Sequence, residues 1–150
     1  MRVTEPKPAV GTWLSRIHLA LAVRAVLAPT AHVLELPNKL ALSGDVWLAV
    51  QQQLYRGWGP FLGAPAELGV LLTSAILAVR HRASAAARPF WIAGCGYLGM
   101  LVVFVLCDAP VNAAVAAWTT ATLPADWSSY RLRWEFGHAV AALLWAKRRA

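Results

Sequence analysis

The sequence predicts an all-α protein: a four-helix transmembrane bundle with a short interfacial helix between the first and second spans. Three observations predict it. Hydrophobic residues make up 59% of the 150-residue chain and charged residues 14%, whereas a soluble domain carries about a quarter charged residues. Four apolar stretches of roughly the length a helix needs to cross a bilayer account for the excess. The basic residues fall at the ends of these stretches rather than along one polar face. The net charge of +7 therefore does not mark a nucleic-acid partner, and the partner implied is the lipid bilayer. The length suits one domain, residues 1–150.

The first span covers residues 13–36 and is expected to end at Pro37, which lacks an N–H and crowds the turn before it. ALSGDVWLAVQQQLYRGWG follows. Ser43 or Asp45 caps a short helix carrying Val46, Trp47, Val50, Leu54 and Tyr55, interrupted by Gln51 to Gln53; it is too polar to span and reads as interfacial. The second span runs over residues 60–79, with Pro65 opening its regular part. RHRASAAARP is a short basic loop. The third span covers 90–118 and kinks at Pro110. After TTATLPADWSSY the fourth covers 130–145.

Placement of Lys and Arg sets the orientation. Arg2, Lys7, Arg16, Arg80, Arg82, Arg88, Lys147, Arg148 and Arg149 lie on one side, against Lys39, Arg56, Arg131 and Arg133 on the other. Both termini are thus expected in the cytoplasm, in a membrane of the bacterial cytoplasmic type. Arg24 interrupts the first apolar stretch and no small-x-small cleavage site follows, so the N-terminus does not read as a cleaved signal. Cys95 and Cys107 share one span about 18 Å apart, too far for a disulfide.

Each span brings ionisable groups to the same half of the membrane: His32 and Glu35, then Glu67, then Asp108 with Asn112, then Glu135 and His138. Arg131, Trp134, Glu135 and His138 follow i, i+3, i+4, i+7 and share a face. Such residues inside spans face the bundle interior or a wet cavity and mark functional sites by default. Three readings fit. Four carboxylates and two histidines match the inventory of a di-metal carboxylate bundle, with His32, Glu35, Glu67, Asp108, Glu135 and His138 as ligands. Imidazole with carboxylate suits a transition metal such as iron or copper. Alternatively, Lys39, Arg56, Arg131 and Arg133 neutralise the acids in a structural ion-pair network, with Arg131 and Glu135 as an i, i+4 pair. The third reading is a proton or solute path. Arg24 is placed as a partner of Glu35 or an anion contact, and His18 and His81 as boundary residues. Trp47, Trp58, Trp118, Trp127 and Tyr130 read as an interfacial aromatic belt.

DAPVN in the third span, Trp127, and RWEFGH opening the fourth resemble the anthrone oxygenase-like family of small four-span membrane proteins. AHVLELPNKLAL resembles a branch of that family with His and Glu in the first span. Asp108, Pro110, Asn112, Trp127, Trp134 and His138 carry the resemblance, while Gly137 and Val140 replace the Asn and Arg that the family often shows. The resemblance implies oxidation of an aromatic substrate by dioxygen without a classical cofactor.

The function expected is therefore an integral membrane oxidoreductase, oxygenase-like, acting on a small hydrophobic substrate such as an aromatic. His138, Glu135, His32 and Glu35 would be catalytic; without a metal, His138 or Glu135 is the base. Asn112, Trp134, Trp127 and Arg131 would bind substrate. The competing class is a non-enzymatic transporter or complex subunit.

Overall fold

The computed structural model describes residues 10–146, and among them there is no strand. The helices are α1 (Val10–Leu40), α2 (Gly44–Ala49), α3 (Ala64–Arg80), α4 (Ala87–Val103), α5 (Ala109–Ala117) and α6 (Trp127–Ala146). Three π-helical turns join them: π1 (Val50–Leu54), π2 (Trp58–Gly63) and π3 (Phe104–Asp108). Three helical runs are long and apolar enough to cross a membrane: Trp13–Leu40, Gly44–Arg80 and Ala87–Ala117. Their outward faces are apolar, with Leu19, Leu34, Leu72 and Leu98 among the exposed large side chains. The molecule hides its polar groups and shows hydrocarbon, as an integral membrane protein must. α6 is also 20 residues long but carries Arg131, Arg133 and Glu135 within them.

α1, α3, α4 and α6 pack in a ring, α1 on α3, α3 on α4, α4 on α6 and α6 on α1. Two apolar clusters fill it. One holds Ala25, Ala66, Val70, Tyr97, Met100 and Ala141. The other, toward the loop of residues 118–126, is aromatic and holds Trp47, Leu48, Tyr55, Val111, Val115 and Trp134.

The first span does not stop at Pro37: α1 runs through it to Leu40. The bond lost at the proline is offset by what the extra turn delivers, a buried Lys39 on the bundle side. No loop separates the segment beginning at Gly44 from the second span. α2, π1, a turn at residues 55–57, π2 and α3 form one run of 37 residues. Ser43 sits at the N-cap of α2, but its hydroxyl donates to Asp45 instead of capping a backbone N–H.

Pro65 opens α3 and Pro110 opens α5, as their residue type favours. Each removes the N–H that would bond the carbonyl four residues back, and each lies just beyond a π turn. Both carbonyls are taken by an arginine from a neighbouring helix: Arg24 donates to Phe61 O, and Arg133 donates to Leu106 O at 2.5 Å. Arg24 is thus a backbone partner and not the counter-ion of Glu35. Of the residues that set the expected orientation, Arg2, Lys7, Lys147, Arg148 and Arg149 lie outside the described residues.

Candidate functional site

His32 and Lys39 are two turns apart on α1 and both are buried. Lys39 Nζ donates to Glu135 Oε2 at 2.9 Å and lies 3.3 Å from His32 Nδ1 and 3.9 Å from Glu35 Oε2. It also sits over the Trp134 ring, 4.9 Å from its centroid. An ammonium has only protons to give, so His32 Nδ1 accepts and its ring proton is assigned to Nε2. Glu35 Oε2 accepts a 2.5 Å bond from Tyr55 OH. Lys39 is therefore the hub of a first cluster comprising His32, Glu35, Glu135 and Tyr55.

A second cluster forms where the third helical run faces α6. Asp108 ends π3, and its carboxylate lies against the backbone of α6 at Gly137. A Cβ there would fall 2.8 Å from Asp108 Cγ, a separation real Cβ atoms do not show. Glycine at 137 is what lets the acid approach. Asp108 Oδ1 then lies 3.1 Å from His138 Nδ1. That nitrogen also lies 2.9 Å from Trp134 O, and the N–H lines up with the carbonyl, leaving the carboxylate oxygen in ion-pair contact without a formal hydrogen bond. One turn along each helix, Trp134 Nε1 donates to Asn112 Oδ1 at 3.0 Å. DAPVN thus engages RWEFGH through Asp108 with His138 and Asn112 with Trp134, and Arg133 reaches Leu106 O just before DAPVN.

The two clusters meet at the histidines, whose ring centroids are 4.3 Å apart. Tyr55 and Trp134 stand edge-on to His32 at 4.7 and 4.5 Å, and Trp58 lies tilted at 5.4 Å. Beside them a cavity of about 960 Å³ opens between the aromatic cluster and the lower apolar one. His32, Gln51, Glu67, Asp108, Trp134 and His138 are on its wall, as is Asn112. Three wall atoms are buried without a hydrogen bond from the protein: Gln51 Nε2, Glu67 Oε1 and Asp108 Oδ1. Such atoms are rare in folded proteins, and on a cavity wall water or a bound molecule can satisfy them.

No family model, curated protein or solved structure matches this chain. The chemistry of the site rests on the geometry itself.

Six residues were expected as metal ligands, and the structure divides them. Glu35 and Glu135 are engaged by Tyr55 and Lys39 and do not line the cavity, whereas His32, Glu67, Asp108 and His138 do. Among the described residues no group of three or more His, Cys, Asp or Glu is arranged to hold a metal ion. The cation between Glu35 and Glu135 is the Lys39 ammonium. Of the expected substrate contacts, Asn112 and Trp134 line the cavity, and Trp127 and Arg131 do not. Arg131 lies over the Trp127 ring at 4.7 Å and donates to the carbonyls of Lys39 and Leu42 at 3.1 and 3.0 Å. It closes the C-terminal end of α1, where carbonyls lack helical partners, and is not the i, i+4 partner of Glu135. His18 bonds Thr73 Oγ1 at 3.0 Å, and His81 stacks on Phe90, both away from the cavity.

Sequence reasoning missed Gln51 as a wall residue, Tyr55 as the partner of Glu35, and the role of Gly137. Three consecutive glutamines in an apolar run were the signal for the first. Gln52 supplies the anchor, donating at 2.8 Å to both Val115 O and Trp118 O at the end of α5.

Proposed function

We propose that this chain is a four-span integral membrane oxidoreductase of the anthrone oxygenase-like type, acting on a small aromatic substrate in the cavity beside His138. The observation that carries the reading is the state of His138. Its Nδ1–H is held by Trp134 O, with the Asp108 carboxylate alongside. This leaves Nε2 as the lone-pair nitrogen of a ring on the cavity wall. A base so held, beside a carboxylate that stabilises the imidazolium, is suited to take a proton from a phenol or from a methylene made acidic by an adjacent aryl ketone. Trp58 and Trp134 lie on the wall that such a substrate would meet. With dioxygen as oxidant, a CH₂ group becomes a carbonyl: one oxygen atom joins the carbon, and the other leaves as water with both hydrogens.

The fourth span is α6. It turns Leu132, Phe136 and Leu143 outward, all more than half exposed, while Glu135 is buried against Lys39 and Arg131 and Arg133 bond backbone carbonyls. Both termini then lie with the basic loop of residues 81–86 in the cytoplasm, by the positive-inside rule, and the cavity lies in the outer half of the membrane.

The test is dioxygen uptake by nanodisc-embedded protein, with anthrone as the probe. His138→Gln should lower kcat by roughly 10²–10⁴-fold, the usual contribution of a general base, with Tm nearly unchanged. Asp108→Asn should lower kcat less than His138→Gln does. A second reading, a non-enzymatic subunit stabilised by buried charge, is favoured by the Lys39 cluster alone. It expects no uptake by the native protein.

A further inference from the structure

The cavity has an unequal boundary. π2 packs against α1 and α3, while α5 packs against α6 and π1. The stretch of cavity wall that also reaches the outside of the bundle, the seam, is made by α3 and the α4–π3 junction. Ala64 and Leu68 form one edge and Leu101 and Phe104 the other, all four on the cavity wall. Leu68 is 55% exposed, so the side chain that lines the cavity also meets the surroundings of the bundle. At the inner end stand Gln51 and Asp108, each more than nine-tenths buried, with Nε2 and Oδ1 lacking hydrogen bonds. One end of the space is thus hydrocarbon and continuous with the apolar exterior. The other carries Glu67 Oε1 as well, and there Gln51 and Asp108 supply one amide donor and one carboxylate acceptor.

A phenolic hydroxyl answers both polar atoms, its oxygen accepting from an amide N–H and its proton going to a carboxylate. An aliphatic chain matches the seam, where a polar group would be desolvated without a partner. A free aromatic ring would use the inner end and leave the seam to lipid.

We propose that the cavity is entered sideways from the bilayer, and that its ligand is an alkyl-tailed phenol with the hydroxyl at Gln51 and Asp108 and the tail between Leu68 and Leu101. This deepens the oxidoreductase reading and rests on it for the claim that the ligand is a substrate. The binding claim stands separately, because the test below needs no turnover.

The protein in nanodiscs is irradiated with para-decylphenol bearing a diazirine on its tail, and the labelled residues are mapped by mass spectrometry. Label should concentrate on residues 64–68 and 101–104 and fall at least fivefold with excess para-decylphenol, but not with decanol. Gln51→Leu and Leu68→Trp should each reduce seam labelling several-fold. Leu72→Trp, one turn along α3 on an exposed face, should leave it unchanged. Label spread evenly over the exposed leucines, or competed equally by decanol, overturns the proposal. Seam labelling in a protein that oxidises no phenol or anthrone supports the binding site and removes the oxidoreductase reading. Oxidation without seam labelling does the reverse.

Discussion

Gly137 shows how one missing carbon sets the site. With the Asp108 carboxylate packed on its Cα, Gly137→Ala must push the acid away from α6 and from His138. Overpacking of this kind costs about 1–3 kcal/mol, so Tm should fall modestly. kcat should fall further than that loss explains, since the imidazole loses its orienting neighbour. A variant with native kcat would show that the contact has no part in turnover. Lys39 supplies the second test at this scale. Removing one partner of a buried pair costs about 3–5 kcal/mol, whereas replacing both with apolar groups is often near neutral. Lys39→Met should therefore be strongly destabilising by thermal unfolding, and adding Glu135→Leu should restore most of the loss. The ionisable residues themselves were legible in the sequence, because charge inside an apolar run is conspicuous. Their partners were not. Arg131 and Glu135 have the spacing of an ion pair, but Arg131 finds the free carbonyls at the end of α1, and Glu135 finds an ammonium that the sequence puts beyond the helix. Helical spacing fixes which residues share a face, while the other helices decide what they meet.

At the scale of the element, proline acts through the carbonyl it abandons. Pro110 leaves Leu106 O to Arg133, and Pro65 leaves Phe61 O to Arg24. The first arrangement predicts a coupling. In the native background Arg133→Gln should cost ~1–2 kcal/mol by leaving a carbonyl unpaired. In a Pro110→Ala background, where residue 110 can bond Leu106 itself, the same change should cost little. Denaturation midpoints of the four proteins close the cycle, and equal costs in both backgrounds would refute the assignment. The start at Pro65 was readable because proline's effects there are local. The stop expected at Pro37 failed for the opposite reason: α1 continues because Arg131 and Glu135 hold the last turn from outside. The π turns had no local signature, since they arise where the chain fits prolines and side-chain packing together.

For the whole molecule, the pattern of exposed leucines and buried charge is that of a protein dissolved in lipid. Composition alone made this legible, while of the four spans expected, three helical runs are long and apolar enough to cross. That the polar groups meet was also readable, though they meet as two clusters and not one centre. The proposed topology is testable with single cysteines in a Cys95→Ser/Cys107→Ser background. A membrane-impermeant maleimide should reach Ala121→Cys from outside and Ser84→Cys only after permeabilisation, with a C-terminal tag protected like Ser84. A tag on the Ala121 side would mean that α6 does not cross. One further consequence belongs to Lys39. Its Nζ is gripped by Glu135 and its main-chain oxygen by Arg131, so a single residue of α1 is clasped twice by α6. Tension drawn through the C-terminal end, as by a cantilever tip extracting the chain, runs along α6 into that clasp. There the last helix yields only when both of its handholds on one lysine let go together.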